Sequence, residues 1–254
     1  MKKYGYLVPV LLLLASMISS CGVANIFMDT VQGSGEVVTE IREVPNFSKI
    51  EAHGDFELFV TQIESGIEIH AEGNLMKYIH TYVKDQTLVV EIADTDGSGI
   101  NLKPLEPIEI YVKLTKITDI SLTGGVKLNS GQLIAKDMQI NLLLTDGSEA
   151  KINALRTGTL TVTLLDESSL EIVDGQVTEQ TIKASKESQY SAEWLKSEAT
   201  TMVLSGDSEA TIWAEETFEV ELTGGSTAYY YGSPNTLTEV KNAGGSDYVS
   251  KGER

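Results

Sequence analysis

One short phrase returns along the second half of the chain at an almost fixed interval. TDGS ends at Ser148, LDES at Ser168, SKES at Ser188, SGDS at Ser208, TGGS at Ser226 and AGGS at Ser246, so the steps are 20, 20, 20, 18 and 20 residues. An earlier copy, LTGGVKL, carries Val126 in place of the serine. Repetition at this period is the mark of a solenoid, in which each repeat is one supersecondary unit that must stack on its neighbours to bury its apolar side. Glycine, aspartate and asparagine are the residues that take a tight turn with positive φ at least cost. The phrase is therefore the corner of a coil, with Gly124, Gly125, Gly224, Gly225, Gly244 and Gly245 as its structural glycines.

Stacking the copies shows what the coil is made of. Six and four residues before each serine stand pairs such as Leu142 and Leu144, Val162 and Leu164, Ile182 and Ala184, Met202 and Leu204, and Val220 and Leu222. Two residues after it stand Ala150, Leu170, Tyr190, Ala210 and Ala228. Even offsets are apolar or small and odd offsets mostly polar, the period of a strand with one buried face. The expected fold is all-β: a parallel β-helix with coils of about 20 residues, each backbone bonded to the coils above and below at ~4.8 Å. Upstream, FSKIEAHGDFELFVTQ, GIEIHAEG and QTLVVEIAD alternate in the same way and read as β structure continuous with the helix. Only NLMKYIHTYV, residues 74–83, reads as a short helix.

The N-terminus carries a processing signal. Lys2 and Lys3 precede an apolar run from Leu7 to Ala15, and small residues lead to Cys21, the sole cysteine. The tetrad Ile18, Ser19, Ser20, Cys21 resembles a bacterial lipobox, which implies cleavage of residues 1–20, lipidation of Cys21 and a membrane-anchored lipoprotein of the cell envelope, with the outer membrane as the expected site. Residues 21–35 read as a tether and 36–250 as a single solenoid domain. GVANIFM is uncharged until Asp29, so a periplasmic and a surface-facing position both stay open. Cleavage removes two lysines and no acids, taking the formal charge from -18 to -20. Such acidity, with Arg42, Arg156 and Arg254 scattered, excludes nucleic acid as an expected partner.

At this point the residues suggest a family. EVVTEIREVPNFSKIEAHGDFELFVTQ, then TLVVEIAD, IEIYV, ITDISLTGGVKL and the recurring GGS corners resemble the putative auto-transporter adhesin, head GIN domain family over residues 36–250. The resemblance implies a parallel β-helix in a secreted or lipid-anchored bacterial protein, and brings no catalytic residues.

Candidate chemistry is sparse. The corner acids Asp146, Asp166, Glu187 and Asp207 form a column at coil spacing that reads as turn chemistry, and their twenty-residue period is unlike the nine-residue repeat of calcium-binding β-rolls. His53, His70 and His80 lack ligand spacing, and no nucleophile elbow, phosphate loop or zinc motif occurs, so no cofactor or metal is expected. Trp213, Tyr229 and Tyr231 fall on outward offsets of the last coils, where exposed aromatics make platforms for a glycan or a protein ligand, unless the C-terminal segment folds over them. A noncatalytic binding or structural role follows. The alternative is a polysaccharide-active β-helix enzyme, which needs carboxylates and a base converging in one groove.

Overall fold

The computed structural model describes residues 30–93 and 99–253; residues 1–20, read above as a signal peptide, and Cys21 lie outside them. In chain order the N-terminal half contains β1 (Thr30–Gln32), β2 (Val37–Arg42), β3 (Lys49–His53), β4 (Glu57–Gln62), β5 (Gly66–Glu72), a single 3-10 turn at Met76–Tyr78, β6 (Ile79–Lys84), β7 (Thr87–Ile92), β8 (Asn101–Lys103) and β9 (Glu109–Leu114). The solenoid proper continues with β10 (Asp119–Thr123), β11 (Lys127–Leu144), β12 (Glu149–Leu164), β13 (Ser169–Ile172), β14 (Gly175–Ser185), β15 (Gln189–Ser205), β16 (Glu209–Leu222), β17 (Thr227–Tyr231), β18 (Thr236–Asn242) and β19 (Asp247–Ser250).

The parallel β-helix is present, and its register follows the repeat. Before the corner, Ile120, Leu142, Val162, Ile182, Met202 and Val220 stand in one ladder column; after it, Leu128, Ala150, Leu170, Tyr190, Ala210 and Ala228 stand in another. All are buried. A third side is formed where Leu133, Leu155, Gly175 and Leu195 align. The corner serines from Ser148 to Ser226 are buried too, and the hydroxyls of Ser148, Ser188, Ser208 and Ser226 each donate to the carbonyl three residues earlier at 2.7–3.0 Å. In the last coils the serine hydroxyls also accept from the coil before: Ser208 N–H donates to Ser226 Oγ at 3.3 Å and Ser226 N–H to Ser246 Oγ at 3.1 Å. They satisfy corner backbone groups that would otherwise be orphaned in the core.

From Gly124 onward each corner places two consecutive residues at positive φ: Gly124 and Gly125, Asp146 and Gly147, Asp166 and Glu167, Lys186 and Glu187, Gly206 and Asp207, Gly224 and Gly225, Gly244 and Gly245. Adjacent corners are bonded, Asp207 N–H to Gly224 O at 2.8 Å and Glu187 N–H to Gly206 O at 2.8 Å. At Gly225 (φ 80) an added Cβ would lie 2.2 Å from the Asp207 carboxylate oxygen. Gly225→Val therefore combines a crowded approach with a left-handed β-branched residue and is expected to cost about 1–3 kcal/mol. Asp207→Ala, at a position that already accepts a side chain, should cost less, and melting curves of the two variants compare them directly.

The N-terminal half departs from simple chain order. β3–β4 stacks on β10–β11, but the coil above it is made of the later strands β7 and β9, parallel to β3 and β4. Antiparallel strands then close this end: β6 on β7, β5 on β9, and β2 on β5. Residues 74–83 form a single 3-10 turn at Met76–Tyr78 and then strand β6, not an α-helix. Ile79, Thr81 and Val83 put β-branched side chains at alternate positions, and Asp85 and Gln86, both at positive φ (49 and 61), close a two-residue hairpin onto β7. Residues 30–35, read above as tether, are held to the body: β1 pairs in parallel with β8, and the buried Glu72 carboxylate accepts the N–H groups of Gly35 and Leu105.

At the other end the final coil turns polar on its inner side. Glu239 stands under Val220, Asn242 under Leu222 and Ser250 under Tyr230. The Tyr248 hydroxyl donates to Glu239, which raises that phenol above its ordinary range. A terminal repeat whose core positions face water must be polar for the array to stay soluble.

Candidate functional site

The three sequence-selected aromatics do lie together, outward and half-buried, but their coil partners differ from the simple count. Tyr229 follows Thr211 in the post-corner sheet. Trp213 pairs with Lys196, not with the Glu193 position, and Tyr231 follows Trp213. The cause is the 18-residue step: between Ser191 and Lys196 the strand bulges relative to its shorter neighbour. That bulge throws out Trp194, 47 % exposed, its ring 6.3 Å from that of Trp213. Trp194 is not legible in the repeat because it sits at an even offset, which the repeat assigns to the core.

Two cations sit on these rings, Lys196 Nζ 5.0 Å from the centroid of Trp213 and Lys251 Nζ 4.0 Å from that of Tyr229. Among the described residues β19 continues the stack beneath β17 rather than crossing the aromatic face, and Lys251 reaches back over a ring.

Further along the post-corner sheet lies a shallow groove of about 430 Å³, adjoined by one of about 240 Å³ that shares Asn129 and Lys151 with it. Two outward columns form its rails: Lys127 above Glu149 in one, Asn129, Lys151, Glu171 and Ser191 in the other. Lys151 and Glu171 pair at 2.8 Å, Lys127 and Glu149 at 3.7 Å, all about half exposed. Phe59 closes one end, its ring stacked on Tyr111 with centroids 4.7 Å apart. This stack escaped sequence reading because Tyr111 reaches Phe59 only through the reordered first coil.

The groove thus gathers two carboxylates and two amines, the composition an enzyme of this fold would need. Each acid is matched to a lysine on the next coil and both pairs are solvated, an arrangement that balances charge and leaves no acid in the apolar setting that general-acid chemistry uses. The histidines are separate: His53 bonds Glu51 at 2.8 Å, His70 bonds Glu68 at 2.9 Å, and His80 contacts Ala93 O at 3.1 Å. The bond from His70 holds the Glu68 carboxyl below its ordinary range. Among the corner acids, Asp166 pairs with Lys186 of the next corner at 2.5 Å. Among the described residues no group of three or more His, Cys, Asp or Glu side chains is arranged to hold a metal ion.

Solved structures share the architecture. A putative adhesin from Bacteroides fragilis matches with a TM-score of 0.74 at 18% identity, covering 88% of this chain and 99% of its own. A putative adhesin from Parabacteroides merdae matches with a TM-score of 0.64 at 16% identity, covering 89% and 99%. A protein from Parabacteroides distasonis named a putative lipid binding protein matches with a TM-score of 0.63 at 14% identity, covering 87% and 100%. At these identities the likeness concerns the fold. Among curated proteins no relative matches the chain. The sequence pattern of one family spans residues 46–234, most of the chain and nearly all of the solenoid. The chain belongs to the family described as "Putative auto-transporter adhesin, head GIN domain".

Proposed function

We propose that the protein is a noncatalytic adhesin of the bacterial cell envelope, lipid-anchored at Cys21, that uses the outward faces of a rigid solenoid to bind a ligand. The observation that carries this reading is the aromatic cluster of Trp194, Trp213, Tyr229 and Tyr231 on consecutive coils. Aromatic side chains offer large contact area with only two torsions to freeze, and the ladder beneath fixes their spacing in advance. The family's description and the names of the structural neighbours support adhesion. The ion-paired, solvated acids of the groove support a noncatalytic role.

Trp213→Ala tests the cluster. Its ring is half-buried against Lys196 and Trp194, so the loss of stability should be about 1 kcal/mol, well short of the ~3–5 kcal/mol of a core aromatic. Adhesion of the purified protein to bacterial or host-cell surfaces should fall at least tenfold. A large drop in melting temperature with unchanged adhesion would make the cluster packing alone.

The anchor has its own test. Cys21→Ser is expected to abolish acyl labelling and move the protein from the membrane to the soluble fraction, because two or more acyl chains are what make membrane attachment stable. Undiminished pelleting of the variant with membranes would refute lipidation at Cys21.

A further inference from the structure

We infer that the groove on the post-corner sheet binds an uncharged polysaccharide strand lying across the coils, parallel to the solenoid axis. This rests on the reading of the protein as a ligand-binding adhesin but concerns a different part of the surface from the aromatic cluster.

On a chain of formal charge -18, the groove balances Lys127 and Lys151 against Glu149 and Glu171. An anionic ligand gains no net attraction there and is repelled by the rest of the molecule, and a cationic one meets amines already holding the acids. Protein interfaces deplete charged groups at their centre and concentrate aromatic anchors. Here the centre is Asn129, Lys151, Glu171 and Ser191, all exposed, with an aromatic only at the Phe59 end. A sugar hydroxyl both donates and accepts, so it can insert into a lattice of alternating amine, carboxylate, amide and hydroxyl groups without leaving either partner unmatched.

Spacing points the same way. The rails step once per coil, about 4.8 Å, close to the advance of one sugar ring along an extended pyranose chain. A strand laid along the axis therefore presents one ring to each coil in register, from Phe59 through Asn129, Lys151 and Glu171 to Ser191. Phe59, backed by Tyr111, supplies a face for the terminal ring. The small side chains of Ser169 and Ser191 leave room for the chain to sink between the rails.

Isothermal titration of the purified protein with cello-, malto- and chito-hexasaccharides, the matching disaccharides and hexagalacturonate tests this. At least one neutral hexasaccharide should bind, its disaccharide at least tenfold more weakly, and hexagalacturonate not measurably. Asn129→Ala combined with Lys151→Ala should weaken the hexasaccharide at least tenfold, and Ser191→Arg, which fills the groove at an exposed site, should do the same with an unchanged melting temperature. The inference is overturned if no neutral hexasaccharide binds, if hexagalacturonate is preferred, or if the groove variants bind as the wild type does. Surface adhesion that depends on Trp213 while no oligosaccharide binds would overturn the groove and leave the adhesive reading standing. Hexasaccharide binding lost in the groove variants and untouched by Trp213→Ala would establish the groove as a site separate from the aromatic cluster.

Discussion

Gly175→Ala should lower the melting temperature by roughly 6–12 °C, the equivalent of about 3 kcal/mol in a domain of this size. Gly175 stands in the inward column of the third side, between Leu155 and Leu195, at φ 152. A Cβ built there lies 2.0 Å from the Leu155 carbonyl oxygen and 2.8 Å from Leu195 Cδ1. The first neighbour is ladder backbone and cannot turn aside, so relief requires displacing a coil. Gly147→Ala is the control. Gly147 also has positive φ (71), but an added Cβ meets nothing within 4 Å, so its cost is confined to the left-handed backbone, about 1 kcal/mol. Thermal unfolding of the two variants side by side separates crowding from conformation.

The second large effect is expected at Gln180. This side chain is buried in the column that runs Ile140, Leu160, Gln180, Thr200 and Phe218. Its amide donates to Ser197 and Thr200 at 3.0 Å each and its carbonyl accepts from Tyr190 across the interior at 3.2 Å. Tyr190 is fully enclosed, and burial pushes its phenol far above the ordinary range, so it remains a donor at every physiological pH. Gln180→Leu keeps the volume but orphans the tyrosine hydroxyl, at about 2–4 kcal/mol with the lost bonds to Ser197 and Thr200 included. Tyr190→Phe should cost less, about 1–2 kcal/mol, because only the Gln180 carbonyl is stranded. The double variant should be more stable than the sum of the two losses predicts, and denaturant unfolding of the four-member cycle measures that coupling.

Both predictions rest on positions where the repeat is broken, and these are where sequence reading stops. The corners were legible because two residues at positive φ narrow the choice of side chain once per coil, and the inward columns because a misplaced polar group in a shared core is costly. Gln180 and Ser197 occupy such columns yet satisfy each other, a match no single-column count discloses. Trp194 and the true partner of Trp213 depended on where a coil absorbs its length difference, and the bulge lies on the side away from the glycine phrase. The first coil was hidden for a topological reason: β7 and β9 come later in the chain than the β3–β4 coil they cover, so period alone misorders them. Of the groove, Lys151 beside Glu171 could be read from a twenty-residue offset, whereas Phe59 against Tyr111 could not.

The two ends of the solenoid are closed by different means, antiparallel strands at one and a polar coil at the other, and neither closure involves the coils between. Length is therefore a free variable of this architecture. A duplicated stretch such as 149–168 would enter as one more layer, meeting only its two neighbours, and would move the lids about 4.8 Å further apart. The molecule works as a ruler whose graduations are coils. Its reach would change in whole steps, with both ends untouched.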